Sequence, residues 1–147
     1  MTRRTDNQKN LASEKFGLQI LMRDDKRIMQ PTLSEKKKVL EICQLPNLYS
    51  RSFDLIKLHV GDFAEVVSKE DFTLLEVKVT RTKLPNFPKG FFFGMTENEE
   101  KLLKDLGNSF LLCLLAISET DAKYKFLNYD ELKSLIRTKR IQYQINL

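Results

Sequence analysis

The chain has 147 residues, of which 41% are hydrophobic and 31% charged, a balance typical of a globular domain and not of a disordered segment. Its longest apolar run, residues 110–117, is far shorter than the roughly 20 residues that a membrane-spanning helix needs. The net charge of +5 is compatible with a polyanionic partner. We therefore expect one domain over residues 1–147, with no membrane association.

The amino-terminal region, residues 1–46, is predicted to form two helices. The first is expected over Asp6–Met22, capped by its first residue, with a loose apolar stripe that Gly17 weakens because glycine is a poor helix former. The second is expected to begin near Thr32 or Ser34, either of which can cap it.

The central region, residues 50–118, begins with two apolar segments, residues 51–60 and 72–80, whose composition is typical of strands. The polar stretch between them carries turn signals, so the two strands are predicted to form an antiparallel hairpin. In the symmetric register of that hairpin, Asp54 lies directly opposite Lys78, at roughly 5 Å.

The rest of the central region is predicted as a loop and then a strand over Gly90–Gly94, a helix over Thr96–Leu106 and an apolar strand over Ser109–Ile117. A strand, a helix and a strand in this order predict a crossover between parallel strands.

The carboxy-terminal region, residues 119–147, is predicted to contain a short strand over Tyr124–Leu127, a helix over Asp130–Ile136 and an edge strand over Ile141–Ile145. The fold class predicted from all these elements is α/β. It has a mixed central sheet, made of an antiparallel hairpin and a strand-helix-strand crossover, and helices flank the sheet.

Three charged residues stand out within the predicted hairpin. Side chains alternate between the faces of a strand, so Glu76 and Lys78 share one face while Val77 points the other way. Charges beside so much apolar surface are costly unless they pair or bind an ion. With Asp54 approaching from the neighbouring strand, this set is what a phosphodiesterase that uses a divalent metal needs.

On Asp54 and the run Glu76-Val77-Lys78, the chain resembles the PD-(D/E)xK, or restriction-endonuclease-like, superfamily. The resemblance covers about Ser52 to Ser118, and it departs from the motif at Phe53, where the family often has proline. It implies that Asp54, Glu76 and the backbone carbonyl of Val77 ligate Mg²⁺ or Mn²⁺. It also implies that Lys78 orients the attacking water and stabilises the phosphate charge.

Supporting roles are expected for residues close to this motif. Arg81, Lys83 and Lys89 lie in the loop that follows the predicted strand, where they can contact a nucleic-acid backbone. Thr80 shares the face of Glu76 and can support the site by hydrogen bonding.

The predicted amino-terminal helices carry Glu14 and Glu41, and the resemblance implies that one such helical carboxylate can be an accessory residue. The single histidine, His59, excludes a site built from several histidines. Cys43 and Cys113 do not make a disulfide framework, and residues 1–8 lack the apolar core of a signal peptide. A cytoplasmic or nuclear location is therefore expected.

The predicted function is that of a metal-dependent endonuclease acting on nucleic acid, with DNA favoured because the superfamily acts mostly on DNA. Such a small domain is expected to work as a homodimer or with a separate specificity subunit. Two alternatives stay open: a non-catalytic module on the same fold that binds nucleic acid or protein, and a nuclease that cleaves RNA.

Overall fold

The computed structural model describes the backbone of residues 6–147 and the side chains of residues 12–147. Its helices are α1 Asp6–Asp24, α2 Leu33–Ile42, α3 Glu97–Leu106 and α4 Tyr129–Leu135. Its strands are β1 Ile28–Met29, β2 Leu55–Leu58, β3 Phe72–Thr80, β4 Phe110–Ile117 and β5 Ala122–Leu127. No helix among the described residues is long and apolar enough to cross a membrane.

The strands form one sheet in the order β1-β2-β3-β4-β5. Strands β3 and β4 are parallel and α3 connects them, whereas the other neighbouring strands are antiparallel. The prediction of an α/β fold with a mixed central sheet between helices is therefore confirmed.

Side chains of opposite parity cover the two faces of the sheet. Even-numbered residues of β3, such as Leu74, belong to one apolar cluster with Leu40 of α2 and Leu102 of α3. Odd-numbered residues, such as Val77, belong to a second cluster with Leu21 of α1. Helices α2 and α3 thus cover one face and α1 the other, and an even-numbered charge on β3 faces α2 and α3.

Local sequence signals explain where the helices begin. Thr32, Thr96 and Asn128 each accept a hydrogen bond from the backbone N–H three residues later, and the glutamate at that position bonds back to the cap. These reciprocal bonds satisfy backbone donors that the first turn of a helix leaves free. Helices α2, α3 and α4 and strands β3, β4 and β5 all lie close to their predicted positions.

The predicted register of the β2–β3 hairpin is wrong by two residues. Leu55 pairs with Leu75, so that continuing this register sets Asp54 opposite Glu76, not opposite Lys78. The connection is not a symmetric turn, because residues 63–65 and 69–71 each form a short 3-10 helix. A shift by an even number preserves the face, so Asp54 still lies beside the predicted residues.

The first strand of the hairpin is also shorter than predicted. Residues 47–52 form a 3-10 helix, and β2 spans only Leu55–Leu58, with Asp54 immediately before it. The two-residue strand β1, which pairs with β2, was not predicted. A segment of two residues is too short to carry a periodic pattern.

Two other predicted strands are absent from the described part of the chain. Gly90–Gly94 is irregular, with Gly90 at a φ of +86°, and the parallel partner of β4 is β3 itself. Ile141–Ile145 is also irregular, and Ile141, Tyr143 and Ile145 are exposed. Neither segment pairs with a strand of the sheet, and an apolar or alternating composition does not form a strand without such pairing.

Candidate functional site

The carboxy-terminal half of β3 presents the central charged residues of the site. Glu76 and Lys78 point to the same face as Leu74, and their partners on β4, Leu112 and Leu114, belong to the apolar cluster of that face. Glu76 is only 7% exposed, although it is a glutamate. Such burial of an acidic side chain needs compensation by a partner or an ion.

Asp54 is attached to the same strand from the side of β2. Its backbone N–H donates to the carbonyl of Leu75 at 2.8 Å, and its Oδ2 accepts a hydrogen bond from the N–H of Val77 at 2.9 Å. Because both bonds involve the backbone flanking Glu76, the two carboxylates are held next to each other. The structure thus brings Asp54, Glu76 and Val77 together.

Lys78 lies between two carboxylates. Its Nζ is 3.6 Å from Oε1 of Glu76, and it donates to Oε2 and Oε1 of Glu99 at 2.9 and 3.1 Å. Glu99 is held in turn by its cap, because its Oε1 accepts a hydrogen bond from the N–H of Thr96 at 2.8 Å. The closer partner of Lys78 is therefore Glu99, at the start of α3.

Sequence reasoning missed the role of Glu99. The capping box at Thr96 was visible as a local signal, and it predicted the start of α3. Its glutamate is 5% exposed, which the cap alone does not require. Only the packing of α3 against the sheet reveals that the carboxylate also reaches Lys78.

Two acidic groups of the site bind protons unusually strongly. Burial, reinforced by the nearby carboxylates of Asp54 and Glu99, raises the pKa of Glu76 to about 10, against the opposing effect of Lys78. Burial also raises the pKa of Asp54, although the hydrogen bond from Val77 lowers it. Oε2 of Glu76 is buried and has no hydrogen-bond partner among the described residues. The neighbouring carboxylates thus disfavour ionisation of Glu76, and a cation bound beside them would displace its proton.

Lys36 of α2 is bonded to the backbone that immediately precedes Asp54. Its Nζ donates to the carbonyls of Ser50 and Phe53 at 2.7 and 2.8 Å and lies 4.8 Å from the centre of the Phe53 ring. Burial lowers the pKa of Lys36, and the charges of Asp54 and Glu76 oppose that shift. Sequence reasoning missed this residue because a lysine in a basic run on a capped helix is usually solvated.

An open cleft of about 740 Å³ lies at the carboxy-terminal end of β3, and neither Lys36 nor Glu99 is among the residues that line it. The predicted site residues on its walls are Glu14, Asp54, Glu76, Val77, Lys78, Thr80 and Arg81. The other three, Glu41, Lys83 and Lys89, are exposed and lie outside this lining.

The rim of the cleft is formed by α1 and the end of β3. Arg81 donates through Nε to Oγ of Ser13 at 2.6 Å, which joins the two elements. Partial burial and the charge of Asp54 raise the pKa of Glu14, which lies one residue further along α1. Thr80 accepts a hydrogen bond from the N–H of Thr82, so it supports the backbone of the rim.

The donor set of the cleft fits a small hard cation. Among the described residues, no group of three or more histidine, cysteine or acidic side chains forms a complete protein cage for a metal. Mg²⁺ does not require one, because it is usually held by one or two carboxylates, water and substrate phosphates. The adjacent carboxylates of Asp54 and Glu76, with a buried oxygen that lacks a partner, meet that requirement.

A scan against protein-family models and searches among curated proteins and solved structures found no match to this chain.

Proposed function

We propose that this chain is a restriction-endonuclease-like nuclease that hydrolyses phosphodiester bonds of nucleic acid with Mg²⁺ or Mn²⁺, with DNA favoured. The observation that carries the proposal is the convergence of Asp54, Glu76 and Lys78 in one cleft, with an oxygen of Glu76 left unpartnered. The mixed sheet with its antiparallel hairpin and helical crossover is the architecture that the resemblance implies.

In this proposal, Asp54, Glu76 and the carbonyl of Val77 hold the cation. When bound, the metal supplies Lewis-acid stabilisation of the phosphate and lowers the pKa of water. Lys78 orients the attacking water and neutralises charge that develops on the phosphate oxygens. The water oxygen bonds to phosphorus, the ester P–O bond breaks, and the protons lost and gained are exchanged with solvent.

Glu99 has a positioning role in the same scheme. Its two bonds to Lys78 hold the ammonium at the wall of the cleft, and the capping box fixes the carboxylate itself. A lysine side chain loses considerable conformational entropy when it is fixed. Because Glu99 holds Lys78 before the substrate binds, this loss does not add to the activation free energy of cleavage.

Cleavage assays test the proposal. Purified protein is incubated with supercoiled plasmid and with single-stranded RNA, in Mn²⁺ or EDTA, beside Lys78→Ala and Asp54→Ala. We expect cutting that depends on the metal and falls at least about a hundredfold in both variants, because each loses an electrostatic contribution to the transition state. The polymer that disappears identifies the substrate class, including the RNA-cleaving alternative.

Matched controls separate loss of the site from loss of the fold. Lys125→Ala on β5 and Asp130→Ala on α4 remove the same charges from exposed positions outside the cleft. They should cut like the unmodified protein. Cutting that persists unchanged in Lys78→Ala would refute the assigned chemistry. Failure of the unmodified protein to cut either polymer would favour the non-catalytic module.

A further inference from the structure

Phe92 is a large apolar residue on the wall of the cleft that contributes little to the core. It is 88% exposed, and it lines the cleft together with Gly94 and the charged residues described above. Single exposed apolar residues are common and need no explanation by themselves. Here the exposed aromatic ring belongs to the same cleft as Asp54 and Lys78, which gives it a specific context.

The neighbours of Phe92 hold the loop in place. Phe91 and Phe93 are partly buried against the core, and their rings meet edge to face with centroids 5.9 Å apart. Phe91 also meets Phe87 edge to face at 6.3 Å, and its N–H donates to the carbonyl of Pro88 at 3.0 Å. With its two neighbours packed inward, Phe92 is presented to solvent from an anchored backbone.

The sequence run Phe91-Phe92-Phe93 is therefore divided between two environments. Phe91 and Phe93 are partly buried and pack against the core. Phe92 differs, because folding leaves its ring almost fully in water. A ligand with a flat apolar face would cover that ring and gain the hydrophobic contact that the fold does not use.

We infer that Phe92 is a stacking site for an unpaired nucleobase next to the phosphate that the cleft cleaves. The inference rests on the proposed nuclease function and narrows its substrate to single strands or locally unpaired duplexes. Aromatic side chains stack on any base, whereas bases inside a duplex are already stacked on each other.

The surroundings of Phe92 suit a nucleotide. Arg81 lies on the same cleft and is anchored to Ser13, so its cationic group is available near the backbone of a bound strand. Gly94, two residues after Phe92, has no atom within 4 Å of the position where a Cβ would lie, so this wall is open. A base on Phe92 and a phosphate between Arg81 and Lys78 would occupy different parts of one cleft.

Binding of short labelled oligonucleotides tests the inference by fluorescence anisotropy. A single-stranded DNA, the matching duplex and the same single strand with one abasic site are titrated in Ca²⁺, and strand integrity is checked on a gel. The proteins are the unmodified chain, Phe92→Ala, Phe92→Trp and Tyr143→Ala. Tyr143 is the matched control because it is 80% exposed and lies outside the cleft.

We expect Phe92→Ala to bind the single strand about 5- to 50-fold more weakly, as loss of one base–aromatic stack predicts. Phe92→Trp and Tyr143→Ala should bind like the unmodified protein. The duplex should bind more weakly, with an affinity that does not depend on residue 92. The melting temperature of Phe92→Ala should be unchanged, since the ring is exposed.

Failure of the stacking site and failure of the nuclease proposal give different results. If the protein cleaves nucleic acid but Phe92→Ala binds the single strand as tightly as the unmodified protein, the stacking site is wrong and the nuclease proposal stands. Tighter binding of the duplex than of the single strand, unaffected by substitution of Phe92, would also refute the stacking site and leave the nuclease proposal standing. If the unmodified protein neither binds nor cleaves any polymer, both proposals are wrong.

Discussion

At the scale of single residues, three carboxylates and one ammonium group lie next to one another at the cleft. Lys78 lies between the carboxylates of Glu76 and Glu99, and Asp54 lies on the far side of Glu76. Each buried charge would be strongly unfavourable alone, and breaking one such pair typically costs about 3–5 kcal/mol. Lys78 forms ion pairs with Glu76 and Glu99 but not with Asp54. An added cation would therefore be stabilised most at the Asp54 end of this group.

The first prediction at this scale concerns Glu76→Gln and pH. The folded-state pKa of Glu76 is raised from 4.5 to about 10, so over this range the folded state holds a proton that the unfolded state has lost. The contribution of Glu76 to the free energy of unfolding is therefore fully present below the unfolded pKa. It falls as pH rises toward the folded pKa, by up to about 1.4 kcal/mol per pH unit. Because glutamine does not titrate, the free energy of unfolding of Glu76→Gln should decrease less with pH.

Urea denaturation between mildly acidic and alkaline pH, in EDTA, measures the effect. Glu65→Gln is the matched control because Glu65 is exposed, and it should follow the unmodified protein. A free energy of unfolding for Glu76→Gln that falls with pH as steeply as that of the unmodified protein would show that Glu76 is not the group responsible.

The second prediction concerns Glu99→Gln, which keeps the size of the side chain and its capacity to cap α3 but removes the charge beside Lys78. We expect single-turnover cleavage to slow about 10- to 100-fold, the usual effect of losing a group that positions a site residue. Mn²⁺ affinity should change less than cleavage, because Glu99 is not among the residues that line the cleft.

Glu97→Gln provides the control, because Glu97 belongs to the same first turn of α3 but is exposed. A cleavage rate for Glu99→Gln equal to that of the unmodified protein, with the fold intact, would reduce Glu99 to a structural cap. A loss of melting temperature with no loss of rate would have the same meaning.

At the scale of elements, the close approach of α1 to the sheet sets the position of the cleft rim. A Cβ on Gly17 would come within 2.9 Å of Cγ2 of Val79 and 3.0 Å of Cδ2 of Leu115. The glycine that weakens the helix by propensity is thus what lets α1 lie against β3 and β4. That contact brings Glu14 and Ser13 to the cleft.

The third prediction follows from this contact. Gly17→Ala gains about 1 kcal/mol of helix propensity, but the new methyl group lies too close to Val79 and to Leu115, and Leu115 is fully buried. Overpacking of this kind costs about 1–3 kcal/mol, so we expect a net loss of stability and a displaced α1. Thermal denaturation measures the loss. Gly61→Ala, where the nearest atom is 3.5 Å away, should have little effect; a stabilised Gly17→Ala would disprove the close packing.

Elements defined by local signals could be predicted from the sequence. The capping residues Thr32, Thr96 and Asn128 mark helix starts within a few positions, and the apolar runs of β3 and β4 are strong enough to identify strands. The pairing register could not be predicted, because it depends on how the connection between β2 and β3 folds.

The candidate site was predicted better than the register because of strand geometry. An error of two residues leaves every side chain on the same face, so Asp54, Glu76 and Lys78 still meet. Glu99 and Lys36 escaped prediction because both reach the site through tertiary packing from helices. No local pattern separates them from the solvated glutamates and lysines of the same helices.

At the scale of the whole molecule, charge is distributed unevenly. The chain carries a net +5, whereas the cleft has the carboxylates of Glu14, Asp54 and Glu76 against the cations of Lys78 and Arg81. A divalent cation bound only by the folded state stabilises it in proportion to the logarithm of its concentration. Metal binding should therefore raise the melting temperature of the whole domain.

The most direct test of the central claim is a calorimetric titration of the protein with Mn²⁺ at neutral pH, with a melting curve at each end point. We expect saturable binding, release of protons as the carboxylates ionise, and a higher melting temperature. Asp54→Asn and Glu76→Gln should each weaken binding at least about tenfold, whereas Glu65→Gln should not. Absence of binding to the unmodified protein, or equal binding to Glu76→Gln, would contradict the assignment of this cleft as a metal site.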